Sequence, residues 1–420
     1  MLAGPEPAPR QIGSWAEARD LLFANSTDLR LARAELHGAQ GRREQARSML
    51  LPQISATTGL AVDLRNRDSA PVAGAGSLTA RGRPPTSPAA TASLRAEQPL
   101  FDAPAWHGLS SAKAYVDAAE ASVDEVRREL YQRLTGALVA VVAAERAAAL
   151  NRVGLRLALE RAALTRRTYE LGRATQLDAI RVDQDVPVAR AALVVGDEQL
   201  RQAREALGLL LGVPGQVGVS PELALDGLVD ELRATCSRLD EGAERADLEA
   251  AEARVRAARE ARRQARAGYL PRVAISTEAV AATTDPGPFT LGGWSIVALL
   301  SVPIWEGGFR GGLVEERAAL VDQAQQREVE LRRTFDVELA RARRSESVAR
   351  SLLDATTRAR DLAAETDAMT RRSFTMGRAT SLELVQSATA LRQAELNLAL
   401  REYEWVNARL DAWLTEARCR

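Results

Sequence analysis

Tyr169-Glu-Leu-Gly172-Arg173-Ala174-Thr175-Gln-Leu-Asp178 returns about 205 residues later as Phe374-Thr-Met-Gly377-Arg378-Ala379-Thr380-Ser-Leu-Glu383. Both copies keep Gly-Arg-Ala-Thr and place a carboxylate three residues after the threonine. The glycine fits the left-handed residue that ends a helix, and the threonine fits the cap of a returning one. Each copy therefore reads as the tip of an antiparallel helical hairpin.

Working outward from the tips, the flanking segments predict very long helices, about Ala105 to Leu171 and about Leu313 to Met376. In the first, Val116, Ala119, Val123, Val126, Leu130, Leu134, Ala137, Val141 and Ala144 step by threes and fours, the spacing of a coiled-coil seam. A helix of that size reaches roughly 100 Å. The returning helices extend to about Leu211 and Leu414. Pro187 is expected to interrupt the first at a cost of roughly 3 kcal/mol, and Arg392 stands at its place in the second.

Two further pairs keep the same order. Leu51-Pro52-Gln53-Ile54 recurs as Leu270-Pro271-Arg272-Val273, and Gln98-Pro99-Leu100-Phe101-Asp102 as Val302-Pro303-Ile304-Trp305-Glu306. Between them lie period-two patterns. Ile54, Ala56, Thr58, Leu60, Val62 and Leu64 oppose Gln53, Ser55, Thr57, Gly59, Ala61, Asp63 and Arg65, a strand with one greasy and one polar face. A second strand, about Thr91 to Phe101, sets Leu94, Ala96 and Leu100 against Ser93, Arg95 and Glu97. A third sets Val273, Ile275, Thr277, Ala279 and Ala281 against Arg272, Ser276 and Glu278, with the greasy face in register with the first copy. The fourth, about Trp294 to Trp305, is apolar on both faces and is assigned by its place in the repeat. Loops are expected at Asp68–Ala90 and Asp285–Pro288. Ser14 to Met49 reads as helix re-capped near Asn25–Asp28, and further helices are expected after Asp226 and over Glu244–Arg266.

The domain reading is a first repeat over residues 1–220, with a hairpin at about 52–101 and a tip at 172–175. The second covers 221–420, with a hairpin at about 271–305 and a tip at 377–380, both in one single domain. Acids and bases balance at 56 each, and Lys113 is the only lysine, so no net field favours nucleic acid. Scarce aromatics and abundant alanine suit helices packed through small side chains. Cys236 and Cys419 lie far apart, so neither a disulfide framework nor a zinc site is expected. No run of about 18 to 20 apolar residues is found, so no transmembrane helix is expected, while a barrel stays open. Met1 to Arg10 reads as no secretory signal. His37 and His107 have no partner at catalytic or metal spacing, and Gly307–Gly312 lacks the Gly-Lys-Ser/Thr of a phosphate loop. Neither an enzyme nor a cofactor or metal site is expected.

Four strands of about 11 to 13 residues are long enough to cross a bilayer when tilted, yet cannot close a barrel alone. Three chains supply twelve strands, an even number within the known range. The duplicated order of helix, Leu-Pro strand, loop, strand ending Pro-Leu-Phe-Asp or Pro-Ile-Trp-Glu, long helix, Gly-Arg-Ala-Thr and helix resembles the TolC-type outer-membrane efflux channels of Gram-negative bacteria. The resemblance covers about Trp15 to Leu414. It implies an α+β membrane protein, mostly α: a homotrimer with a twelve-stranded β-barrel, a long periplasmic α-helical barrel built from the two repeats, and an equatorial belt. It also implies partnership with a periplasmic adaptor, an inner-membrane transporter and outer-membrane lipid.

By that resemblance Gly172, Arg173, Ala174, Thr175, Gly377, Arg378, Ala379 and Thr380 match adaptor-contacting turns. Asp178 and Glu383 match carboxylates that narrow the periplasmic entrance, while Gln386 departs from a second acidic position of some relatives. Three copies of each acid would ring a narrow throat; the plainer alternative is a first-turn acid favoured by the helix dipole. Trp294, Trp305, Phe101 and Trp106 suit an interfacial girdle or packing at strand ends. Arg95, Glu97, Asp63 and Glu278 give the polar face mixed sign. The leading function is a passive export duct for a tripartite efflux or type I secretion system; the alternative is a soluble coiled-coil scaffold or periplasmic adaptor.

Overall fold

The computed structural model describes residues 7–62, 89–221, 223, 225–239, 244–283 and 290–419. Asp63 and the loops expected at Asp68–Ala90 and Asp285–Pro288 fall wholly or largely outside them. In chain order the elements are β1 (Arg10–Ile12), α1 (Trp15–Asn25), α2 (Thr27–Ser48), β2 (Gln53–Ala61), β3 (Ala89–Phe101), α3 (Ala103–Glu170), α4 (Gln176–Leu211) and β4 (Val217–Val219). They continue with α5 (Leu225–Thr235), β5 (Cys236–Arg238), α6 (Ala246–Ala267), β6 (Arg272–Ala282), β7 (Thr290–Ser301), α7 (Phe309–Thr375), α8 (Ser381–Thr415) and β8 (Ala417–Cys419). The chain forms two compact units, one of Ala34–Ala121 and Leu248–Glu330, the other of Met1–Arg33, Ser122–Asp247 and Leu331–Arg420. Each takes segments from both repeats.

The first unit holds a four-stranded antiparallel sheet in the order β2-β3-β6-β7. Its register aligns the period-two faces of β2, β3 and β6 and sets β7 beside them. Ile54, Ala96, Thr277 and Ile296 lie in one row and Ala56, Leu94, Ala279 and Trp294 in the next, on one face. Gln53, Glu97, Ser276 and Val297, then Ser55, Arg95, Glu278 and Ser295, form rows on the other. The greasy face is bare: Ile54, Leu60, Trp294, Ile296 and Leu300 are each more than three-fifths exposed. On the polar face Arg95 and Glu278 pair at 3.1 Å, so part of its mixed charge is neutralised locally. β2 and β7 each have one described neighbour, leaving a backbone row without a strand partner at either edge. β7 begins and ends four residues earlier than its place in the repeat predicts, because Pro303 and the positive-φ pair Gly307 and Gly308 claim the following segment as a turn into α7.

In the same unit α3 and α6 meet through alanine, with Ala114, Ala118, Ala121, Ala250, Ala253, Ala257 and Ala265 all buried. The Ser111 hydroxyl donates to the Ala257 carbonyl at 2.9 Å. His107 lies 2.9 Å from the Glu260 carboxylate across the same seam. Phe101 and Trp106 pack edge to face at 5.2 Å, whereas Trp294 and Trp305 are 71% and 82% exposed.

In the second unit Trp15 stacks on Tyr131 at 5.8 Å, and Phe23 meets the same ring edge-on at 5.1 Å. Leu22, Leu134, Leu138, Val141, Leu207 and Leu211 are fully buried. α3 averages a hydropathy of 1.3 over one 18-residue window, enough by length and composition to cross a membrane. Alanines raise that average without making an unbroken apolar run. The buried Leu134, Leu138, Val141 and Ala148, with the Glu145–Arg204 pair at 2.9 Å, mark it as a core helix of this unit. α4 passes through Pro187 without interruption, because buried Val182, Asp185 and Ala189 on either side hold it where the proline removes one backbone bond.

The cysteines also correct the sequence reading. β5 and β8 pair antiparallel with Cys236 opposite Cys419, and the two form a disulfide across a separation of 183 residues. Closing a loop that long removes on the order of 5 kcal/mol of unfolded-chain entropy in the chain-entropy picture. Glu416 accepts hydrogen bonds from Arg238 and Arg343, and Arg418 lies 3.4 Å from Asp124, so ion pairs seat the same strand.

Candidate functional site: the two helical tips

Each rising helix ends as its glycine predicts. Gly172 has φ 70° and Gly377 φ 73°. The Arg173 N–H donates to the Thr168 carbonyl at 2.9 Å and the Gly172 N–H to that of Tyr169 at 2.9 Å. Arg378 and Gly377 repeat the pair on Ser373 and Phe374 at 2.8 and 3.0 Å. This double closure satisfies the last carbonyls and turns the chain with a residue only glycine adopts cheaply. Thr175 then caps α4, accepting from the Asp178 N–H at 3.2 Å while Asp178 Oδ2 accepts the Thr175 N–H at 2.9 Å. Thr380 and Glu383 do the same at 3.3 and 2.7 Å. Both acids thus close a capping box, and both lie in the first helical turn, as the plainer sequence reading has it. Gly172, Arg173, Thr175, Gly377, Arg378, Thr380, Glu383 and Gln386 are exposed, and Ala174, Ala379 and Asp178 half-buried.

The two carboxylates differ in what else they touch. The hydroxyl of Ser381, itself 1% exposed, donates to Asp178 Oδ1 and ties the first tip to the second. Ser381 stands where the first copy has Gln176, so the only signal for it was a mismatch between copies. The Ser381 hydroxyl, then the Thr175 hydroxyl and N–H, hold the Asp178 carboxyl below its ordinary value; the Thr380 N–H, then its hydroxyl, do so for Glu383. Both are therefore anions at neutral pH. Among the described residues no three potential metal ligands cluster.

Above the first tip, α3 and α4 are joined by four arginine–carboxylate pairs absent from the sequence reading. Arg166–Asp183 measures 2.9 Å, Arg152–Asp197 2.5 Å and Arg204–Glu145 2.9 Å, and Arg161 bonds Asp185. Three of the four are symmetric about the Ala174–Thr175 bond, as an antiparallel hairpin requires, and that symmetry was a usable signal. The second copy lacks it. At the matching places Arg371 faces Ala388, Thr357 faces Glu402 and Arg350 faces Arg409. There the contact is a buried Asp367, bonded to Arg371 at 2.7 Å and to the Ser387 hydroxyl at 3.2 Å.

Burial sets the cost of breaking these rungs. Asp185 is 5% exposed, so Arg161→Ala strands a buried carboxylate and is expected to cost about 3–5 kcal/mol. Arg166 is 64% exposed, and Arg166→Ala is expected to cost less than about 1 kcal/mol. Thermal unfolding of the two variants checks the contrast. For Asp178, a carboxyl depressed in the folded tip contributes fully above its ordinary range, about 4, and loses that contribution as pH falls through the lowered value. The gap in unfolding midpoint between the parent and Asp178→Ala is expected to be constant from pH 8 to 5 and to narrow below about pH 4.

The architecture has close counterparts among solved structures. The outer membrane protein VceC of Vibrio cholerae superposes with a TM-score of 0.77 at 19% identity, covering 94% of each chain. The MtrE outer membrane channel of Neisseria gonorrhoeae, in its open state, gives 0.76 at 16% identity over 99% of this chain and 96% of its own. The CmeC outer membrane channel of Campylobacter jejuni gives 0.77 at 14% identity over 95% and 84%. No curated protein sequence matches the chain. The outer membrane efflux protein family model matches residues 18–213 and 241–411, on either side of the link between the repeats. With that match over most of its length, this chain belongs to the outer membrane efflux protein family.

Proposed function

We propose that three copies join their sheets edge to edge into a twelve-stranded barrel, and that the trimer is a passive exit duct. Substrates would be handed to it by an inner-membrane pump through a periplasmic adaptor, and both repeats would act as one structure. The observation that carries this is the sheet: one face is greasy along all four strands, and among the described residues neither edge has a strand partner. Hydrocarbon offers backbone groups no hydrogen bonds, so such a sheet is stable in an outer membrane only when copies pair their edges. Membership in an outer-membrane channel family removes the ground for the soluble scaffold or adaptor reading.

In this reading Gly172–Thr175 and Gly377–Thr380 meet the adaptor, and Asp178, Glu383 and Gln386 border the entrance. The tip geometry ranks the acids. Asp178 is engaged by Ser381 and Thr175, whereas exposed Glu383 is held only through Thr380, with neutral Gln386 one turn on. Glu383 is thus the acid whose field acts on passing ions.

Light scattering of the detergent-purified protein is expected to give three chains per particle, and a monomer would sink the proposal. Ile296→Arg, on the greasy face, is expected to cost about 2–4 kcal/mol near the bilayer centre and to reduce the heat-resistant assembled fraction, while Ser295→Arg leaves it near the parent level. In single-channel recordings Glu383→Gln is expected to reduce cation preference more than Asp178→Asn. An unchanged preference in both removes the entrance assignment.

A further inference from the structure

We propose that Cys236 and Cys419 are a substrate site for a dithiol–disulfide oxidase of the periplasm, and that the bond, once made, is a permanent clasp rather than a redox switch. The proposal rests on the outer-membrane location and not on the duct reading. Three observations carry it. The β5–β8 register sets the two cysteines directly opposite each other, and Glu416, bonded to Arg238 and Arg343, seats β8 in that register. Neither cysteine is more than 1% exposed, so in the folded chain no reductant reaches the sulfurs; labile, regulatory disulfides are exposed ones. The enclosed loop, 183 residues long, contains α6, β6, β7, α7 and α8, so one bond rings the whole second hairpin and its strands.

The chemistry balances with the oxidase as electron acceptor. The thiolate of Cys236, exported first, attacks the oxidase disulfide and forms a mixed disulfide, releasing one oxidase thiolate. The thiolate of Cys419 attacks the Cys236 sulfur, the protein disulfide forms, and the oxidase leaves carrying two electrons; the two protons shed by the cysteine thiols are taken up by its two thiolates, so it departs as a dithiol with no net proton release. The chain has only two cysteines, so one intramolecular pairing exists and no disulfide isomerase is required.

The test expresses the full chain in bacterial cells that are unaltered, lack the periplasmic thiol oxidase, or lack the disulfide isomerase, and traps thiols with N-ethylmaleimide before mass measurement. No labelled cysteine is expected in the first and third, and two in the second. Two labels in unaltered cells, disulfide-linked pairs of chains, or equal loss without the isomerase would overturn the oxidase assignment. Excess dithiothreitol is expected to leave the native bond intact and to cleave it once denaturant is added; ready cleavage in the native protein overturns the clasp. Cys236→Ser with Cys419→Ser is expected to lower the unfolding midpoint by several degrees, and an unchanged midpoint also overturns it.

Discussion

An amide or carbonyl without a partner costs several kcal/mol in hydrocarbon, and this chain presents a row of them along β2 and another along β7. Most of the architecture follows from that constraint. In the proposed trimer each open edge pairs with another copy, and the greasy rows from Ile54 to Ile296 and from Ala56 to Trp294 face outward together. A single-residue slip in any strand would turn its greasy side chains onto the polar face. The Arg95–Glu278 pair, set directly opposite in the ladder, favours the observed register on that polar face.

The helical part obeys a different economy. Alanine lets α3 and α6 approach closely in the unit that carries the sheet, and the second unit relies on leucine and on Tyr131 between two aromatic neighbours. The two hairpin tips share one backbone solution to the same problem, eight unpaired groups at a helix end and a helix start. Their shafts do not share side-chain chemistry. The first is cross-braced by charge, with Asp185 and Arg204 nearly inaccessible, and the second has Arg350 where a carboxylate would be needed opposite Arg409. Duplication preserved the turns and let the bracing diverge.

Much of this was legible before any coordinates. Period two located β2, β3 and β6 within two residues at most ends, because one-sided solvation writes itself directly into alternation. Glycine and threonine located both tips for an equally local reason. What escaped depends on distant segments meeting. Cys236 and Cys419 carry no spacing that announces a bond, and only the β5–β8 pairing brings them together. Ser381 reaches Asp178 across two tips, and the continuity of α4 through Pro187 depends on burial of its flanks. β7, apolar on both sides, offered no alternation to mark its ends, so its boundaries were set by the turn that follows.

The bracing of the first hairpin also restricts how its length can change. Its rungs are placed symmetrically on two strands of helix that run in opposite directions. Deleting one residue from α4 alone would rotate every rung beyond the deletion by about 100° and slide it by about 1.5 Å, parting each cation from its anion. Length can therefore change only by matched insertions in α3 and α4, in steps of about seven residues that restore both phase and facing partners. The shaft of this hairpin grows or shrinks in quanta, and descendants of different reach should differ by whole pairs of turns.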